Sequence, residues 1–115
     1  MLKIINGDIN ITRGDTGYFT LTVTQPNNSK EEYILQDGDI CLFTVRKKSK
    51  QLSDYIKDDY ILQKTFVDNV IKIEPKDTQD LEYGKYYFDV ELTFVNGDIN
   101  TIIEEHDFNI CNEVT

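Results

Sequence analysis

The chain has 115 residues, 39% hydrophobic and 29% charged, which is typical of one globular domain spanning residues 1–115. Acidic residues outnumber basic ones by 21 to 12, and the resulting charge of −9 repels nucleic-acid phosphates and anionic lipids. We therefore expect no nucleic-acid and no membrane partner, and no apolar run is long enough to span a bilayer. The first residues reach a charged turn too early for a signal peptide, which predicts synthesis in a cytoplasm.

The earliest strong strand patterns lie at residues 18–24 and 40–45. In the first, Phe19, Leu21 and Val23 alternate with polar residues, so one side of the strand is apolar. The second is more continuously apolar, a pattern typical of a central strand. We expect both segments to contribute to the hydrophobic core.

Weaker patterns occupy the middle of the chain. Residues 60–66 and 70–73 predict two strands separated by a turn at 68–69, where the sequence has Asp and Asn. Residues 50–60 and 77–83 could each hold a short helical turn. Neither segment has the length or the apolar stripe of a core helix.

The last third of the chain predicts a long β-hairpin. The strand at 86–94 has one apolar face, formed by Tyr86, Phe88, Val90, Leu92 and Phe94. Asn96-Gly97 follows, the dipeptide favoured in a type I′ turn, where both residues have positive φ. The partner strand is predicted from Ile99 to about Ile110.

About seven short strands at regular spacing predict an all-β fold, namely an immunoglobulin-like antiparallel β-sandwich with Greek-key connections. The spacing Leu81-x-x-Gly84-x-Tyr86, just before the strongest strand, matches a tyrosine corner. Leu81 would close one end of the core and Gly84 would form the tight turn. Tyr86 would donate its hydroxyl to the loop backbone.

No residue pattern indicates an enzyme, a metal site or a cofactor. His106 stands among carboxylates, yet alternation divides that cluster between two faces and spacing marks no nucleophile or second ligand. The acidic turn at 37–39 would contribute to a calcium site only together with other loops. Cys41 and Cys111 predict buried reduced thiols, although a disulfide between them is geometrically possible.

The clearest charge feature is a basic cluster at the start of a long polar connection from 47 to 59. Polar connections tethered to rigid strands are favoured contact regions, so we expect this one to meet a partner. The candidate partner contacts are Arg46, Lys47, Lys48, Lys50 and Tyr55. Acidic residues of a neighbouring copy could bind this basic cluster, and the two copies would then pack head to tail as a homo-oligomer. The acidic residues for this contact would be Asp54, Asp58, Asp59, Glu104, Glu105 and Asp107.

Several short motifs, taken in chain order, resemble one known family. They are Ile11-Thr12-Arg13-Gly14-Asp15-Thr16, residues 33–39, Val45-Arg46-Lys47, residues 73–78, and the series Leu81, Gly84, Tyr86, Asp89-Val90 and Leu92. Over about residues 9–108 the chain resembles the N-terminal immunoglobulin-like domain of phage baseplate upper proteins. It is also similar to small tail or baseplate proteins of phages of low-GC Gram-positive bacteria.

This resemblance implies a component of a virion or a phage tail-like particle. Such a component is made in the host cytoplasm and then docks onto other tail or baseplate proteins. The baseplate upper proteins continue into a long C-terminal region, which favours a small adaptor or decoration role for a chain that ends at Thr115.

The sequence thus predicts a structural adaptor that acts by protein–protein binding, while two other functions stay open. A carbohydrate-binding module would use outward tyrosines such as Tyr18 and Tyr87 as stacking platforms. A phage-encoded inhibitor of a host defence protein would imitate nucleic acid, and it would need its negative charges clustered on one face.

Overall fold

The computed structural model describes residues 2–5, 7–24 and 32–112, most of which are in strands, so the predicted all-β class is confirmed. The ends of the predicted domain, residue 1 and residues 113–115, lie outside the described residues. In chain order the elements are β1 (Leu2–Ile5), β2 (Asp8–Thr12), β3 (Gly17–Thr20), β4 (Val23–Thr24), β5 (Glu32–Tyr33), β6 (Ile40–Arg46), β7 (Leu62–Thr65), β8 (Val70–Ile73), α1 (Pro75–Thr78), β9 (Gly84–Thr93) and β10 (Ile99–Cys111).

Six strands form one curled sheet in the order β1-β2-β10-β9-β6-β7. Its neighbours are antiparallel except β2 and β10, which run parallel with Ile9 beside Phe108 and Ile11 beside Ile110. The sheet is therefore mixed, and the prediction of an entirely antiparallel arrangement is wrong at this pair. In sequence, β2 and β10 are separated by most of the chain, so no local pattern could reveal that they pair.

A second, two-stranded layer covers the inner face of the large sheet. Strand β3 pairs with β8 in antiparallel register, and the buried side chains of Phe19, Ile71 and Ile73 join the core. The ring centroid of Phe19 lies 6.0 Å from that of Phe43 on β6 and 6.1 Å from that of Phe88 on β9. The hydrophobic core therefore lies between these two layers. A third pair, β4 with β5, has two residues on each strand.

The alternation predicted for residues 18–24 is confirmed. Phe19, Leu21 and Val23 are buried, whereas Tyr18 is 61% exposed. The strand is nevertheless interrupted between β3 and β4, where the backbone N–H of Leu21 donates to the carbonyl of Asn69 at 2.8 Å. The central position predicted for residues 40–45 is also confirmed, since β6 lies between β9 and β7.

The predicted turn at Asp68 and Asn69 is present, and both residues have positive φ, 51° and 63°. Val67 and Val70 exchange two backbone hydrogen bonds of 3.0 Å across it. The strands on either side belong to different sheets, because β7 pairs with β6 and β8 pairs with β3. Asn69 is buried, and its side-chain amide bonds to backbone groups of Leu21, Tyr33 and Leu35. The turn therefore carries the chain from one layer to the other.

The long hairpin of β9 and β10 is confirmed, but the predicted type I′ turn is wrong. Gly97 has φ 96°, whereas Asn96 is not in the left-handed region. The side-chain oxygen of Asn96 instead accepts from the backbone N–H of Asp98 at 2.9 Å, and Gly97 N–H donates to Phe94 at 2.9 Å. A turn closed by one left-handed glycine is the usual longer alternative. Strand β10 also carries two register shifts, between Thr101 and His106.

The two predicted helical turns differ from the structure. Residues 50–60 form successive turns without a helix. The helix near 77–83 begins earlier, at Pro75, because Glu74 and Asp77 form a reciprocal capping box around its first turn. Proline is favoured at this first position, because a backbone N–H there would have no hydrogen-bond partner within the helix and its absence costs nothing.

The geometry of a tyrosine corner is present at the start of β9. The hydroxyl of Tyr86 donates to the carbonyl of Glu82 at 2.8 Å, and burial raises the pKa of Tyr86. Leu81 packs half-buried against the core, and Gly84 has φ 137°, which side-chain-bearing residues rarely adopt. The loop is also held from outside, because the guanidinium of Arg13 donates to the carbonyl of Leu81 at 3.4 Å.

Replacing Tyr86 by Phe should lower the free energy of unfolding by about 0.5–1.5 kcal/mol, because one internal hydrogen bond is lost. Urea denaturation followed by circular dichroism measures this change. The matched control is Tyr83→Phe, since Tyr83 is 44% exposed and lies three residues earlier. Equal stability of the two variants would contradict a structural role for the Tyr86 hydroxyl.

Candidate interaction site

Three polar residues are buried on the outer face of the large sheet, the face that points away from the core. Thr44 is 3% exposed, Arg46 7% and Asp89 5%. Residues 44 and 89 face each other across β6 and β9, and Gln63 of β7 flanks Thr44 on its other side. An outer face of this kind is normally solvated, so another part of the chain must cover it. Residues 47–60, here called the covering segment, do so.

Arg46 joins the sheet to the covering segment. Its Nη1 lies 3.1 Å from Asp89 Oδ2, and its Nε donates to the carbonyl of Lys57 at 2.9 Å. Its guanidinium carbon also lies 5.6 Å from the ring centroid of Tyr55. One side chain thus bonds to β9 and to the far end of the covering segment.

Two lysines add further contacts between the covering segment and the sheet. Lys50 pairs with Asp89, and its backbone N–H donates to Glu105 of β10 at 2.9 Å. Lys57 Nζ lies 3.8 Å from Glu91 Oε2. The covering segment is therefore fixed at both ends over β9 and β10.

The five predicted partner contacts take different positions. Arg46 is buried, Lys50 pairs with Asp89, and Tyr55 is half-buried, whereas Lys47 and Lys48 are exposed. The basic cluster is therefore not one free surface.

The acidic residues proposed for head-to-tail packing are partly used within the chain. Lys48 lies 2.5 Å from Asp54, and Lys85 lies 3.4 Å from Asp107. The hydrogen bond with Lys48 and its charge lower the pKa of Asp54, while the same contact raises the pKa of Lys48. Ion pairs within one copy thus use several of the charges that would attract a second copy.

Two apolar side chains of the covering segment point outward. Leu52 is 50% exposed and Ile56 is 62% exposed, four residues apart. The sequence predicted a contact in this region but did not single out these two residues. Sequence pattern did not identify them, because their neighbours are mostly Lys and Asp. The segment also consists of turns, so its apolar residues do not recur with the period of a helix or a strand.

A pocket of about 360 Å³ opens beside the covering segment. Its floor is the outer face of β6, with β7 and β9 on either side and the last residues of the covering segment as a wall. The pocket is lined by Leu42, Thr44, Arg46, Lys57, Asp58, Tyr60, Gln63, Asp89 and Glu91. Sequence reasoning missed it, since an outward-facing Asp89 looks like an ordinary solvated residue of a half-buried strand.

The other residues considered for chemistry are separate from this pocket. His106 Nδ1 lies 3.5 Å from Asp8 Oδ1, and its ring lies 6.2 Å from that of Phe88. Asp39 accepts from the hydroxyl of Tyr33, and this hydrogen bond raises the pKa of Tyr33 to about 12 and lowers that of Asp39. Within residues 2–5, 7–24 and 32–112, no group of three or more His, Cys, Asp or Glu is placed to hold a metal ion.

The two cysteines are not joined, so the alternative of a disulfide is not realised. Cys41 is buried, and desolvation raises the pKa of its thiol to about 11. Cys111 is half-buried, less than the sequence predicted. In the part of the chain that the structure describes, no helix has the length and apolar character needed to cross a membrane.

The tyrosines considered as stacking platforms are not brought together. Tyr18 is on β3, in the two-stranded layer, and it is highly exposed. Tyr87 is half-buried on β9, in the large sheet, beside Arg46 and Asp107. They therefore belong to different sheets and do not form one binding surface.

Comparison with known proteins gives no family and no relative. No family model, no curated protein and no solved structure matches this chain. The site described above therefore rests on its own geometry.

Replacing Asp89 by Asn should lower the free energy of unfolding by about 3 kcal/mol, because it leaves the buried guanidinium of Arg46 without its counter-charge. Amide hydrogens of the covering segment should also exchange faster, as measured by mass spectrometry. The control is Asp54→Asn, which removes an exposed pair with Lys48 and should leave both observables unchanged. An Asp89→Asn protein as stable as this control would contradict the anchoring role of Asp89.

Proposed function

We propose that the chain is a structural adaptor of a phage tail or a tail-like particle, binding other tail or baseplate proteins through the covering segment. The observation that carries this proposal is the pair of outward apolar residues, Leu52 and Ile56, on a segment fixed by a buried ion pair. Neither a carbohydrate-binding module that uses Tyr18 and Tyr87 nor an inhibitor that imitates nucleic acid would use these two apolar side chains.

We also propose that the fold is an immunoglobulin-like sandwich with Greek-key connections. The order β10-β9-β6-β7 corresponds to strands G, F, C and C′ of such a fold, and the pair β3–β8 corresponds to B and E. The chain passes between the two layers before β6, between β7 and β8, and again between β8 and β9. The Tyr86 corner stands at the start of the strand that corresponds to F, where such sandwiches have it.

The covering segment suits a passive binding role. Exposed apolar side chains that stand singly are common on protein surfaces and mean little. Leu52 and Ile56 differ because turns and ion pairs already hold their backbone, so a partner would not bear the full entropy of ordering it. Burial of these side chains would then supply the binding free energy, with Lys47 and Lys48 exposed earlier in the same segment.

The phage assignment itself comes from the resemblance in the sequence. Its motifs fall on the turn at Gly14, on β6 and on the corner before β9, which are structural positions. The proposal therefore includes no catalysis and no cofactor. The chain would be made in the host cytoplasm, would join the virion or particle, and would take its copy number from the symmetry of that assembly.

The test is quantitative mass spectrometry of particles purified from a host that carries a deletion of the gene and a plasmid copy. The wild-type chain should be present in a fixed ratio to the tail proteins. The double variant Leu52→Ser, Ile56→Ser should fall at least about tenfold, as expected when apolar contacts are removed from the centre of an interface.

The control for this experiment is Val67→Ser, which removes an even more exposed apolar side chain at the turn between β7 and β8. It should be incorporated like the wild type. If the wild-type chain is absent from particles and free in the lysate, the adaptor function is wrong. If the double variant is incorporated normally, the covering segment is not the contact surface.

A further inference from the structure

We propose that the pocket beside the covering segment binds a neutral saccharide. This activity is separate from the adaptor function, because the exposed side chains of Leu52 and Ile56 do not line the pocket. The shape, the charge and the hydrogen-bonding groups of the pocket all favour such a ligand.

The shape and rigidity of the pocket suit a small ligand. A volume of about 360 Å³ lies near the lower end of the range for small-molecule sites, roughly 300–1,000 Å³. Its floor is Leu42 and Thr44 on the central strand β6, and Gln63 Nε2 donates to the Thr44 hydroxyl at 3.1 Å. The floor is therefore formed before any ligand arrives, which lowers the entropic cost of binding.

The charge of the pocket disfavours an anionic ligand. Two cationic and three acidic side chains line it, so its net charge is −1. Arg46 and Asp89 already neutralise each other at 3.1 Å, and Lys57 stands 3.8 Å from Glu91. A phosphate or carboxylate would meet excess negative charge here, while the residual attraction for a cation is small. A neutral ligand fits best.

The free hydrogen-bonding groups call for a ligand with several hydroxyls. Carboxylates only accept hydrogen bonds. The carboxylates of Asp58 and Glu91 accept no hydrogen bond from another described residue, since Lys57 stays 3.8 Å from Glu91. Tyr60, which is 42% exposed, adds to the lining an aromatic ring and a hydroxyl without a hydrogen bond to the other described residues. Aromatic rings pack on the apolar face of a sugar while their polar ends bond its hydroxyls. Acceptors, a ring and an apolar floor at Leu42 together match a sugar ring.

The test is a titration of the full chain, labelled with ¹⁵N, followed by two-dimensional NMR. The probes are glucose, galactose, rhamnose and N-acetylglucosamine, each as a monomer and as a short oligomer, to millimolar concentration. At least one should give saturable shifts confined to residues 42–46, 57–63 and 89–91. Absence of such shifts with every probe would overturn the proposal.

Variants distinguish a built site from a weak surface contact. Tyr60→Ala and Glu91→Ala should each weaken binding at least about tenfold, since each removes a contact from the pocket and neither residue belongs to the core. The control is Tyr18→Ala, which removes a more exposed tyrosine from the other sheet and should leave binding unchanged. Equal binding by all three variants would overturn the proposal, as would shifts in the pocket produced by a lysine-rich peptide and by none of the sugars. Neither result would affect the particle experiment.

Discussion

The ion pair of Arg46 and Asp89 is the interaction on which the outer face of this protein depends. Removing a charge from water costs several kcal/mol unless a partner and hydrogen bonds compensate it. Asp89 receives both Arg46 and Lys50, and Arg46 also donates to the carbonyl of Lys57. The contacts with Lys50 and with Lys57 exist only when the covering segment is in place. The ion pair is therefore fully satisfied by the same arrangement that buries it. Loss of any one member would leave the others with an uncompensated desolvation cost.

The same two strands also build the hydrophobic core, which links the outer face to the rest of the fold. On their inner side β6 and β9 contribute Phe43 and Phe88, whose ring centroids are 5.4 Å apart. On their outer side they contribute Arg46 and Asp89, which lie diagonally across the strand pair because Arg46 is opposite Tyr87. Because close-packed cores deform little, the positions of the covering segment and of the pocket follow from the packing of the core. A partner or a sugar would therefore meet a surface that is largely formed in advance.

Local pattern predicted the parts of the fold that local physics decides. Alternation identified β9, since its side chains point to opposite faces with a period of two, and spacing alone indicated the corner at Tyr86. Pattern could not predict the parallel pairing of β2 with β10, nor the turn at Asn96, where a side-chain hydrogen bond replaces a left-handed backbone. It also missed the burial of Asp89, because the partner Arg46 lies 43 residues away and the cover is a segment without periodicity. The sequence thus singled out the connection after β6 as a contact region, which stays a prediction, but it did not indicate the buried ion pair or the pocket beside that connection.

A double-mutant cycle on Arg46 and Asp89 tests most directly whether the two buried charges depend on each other. The free energy of unfolding of wild type, Arg46→Met, Asp89→Leu and the double variant is measured in urea. If each buried charge depends on the other for compensation, each single substitution is costly and the double variant recovers stability, because no uncompensated charge stays buried. The expected coupling is about 1–3 kcal/mol. Additive single effects, with a coupling near zero, would show that the two residues do not depend on each other and would contradict the account.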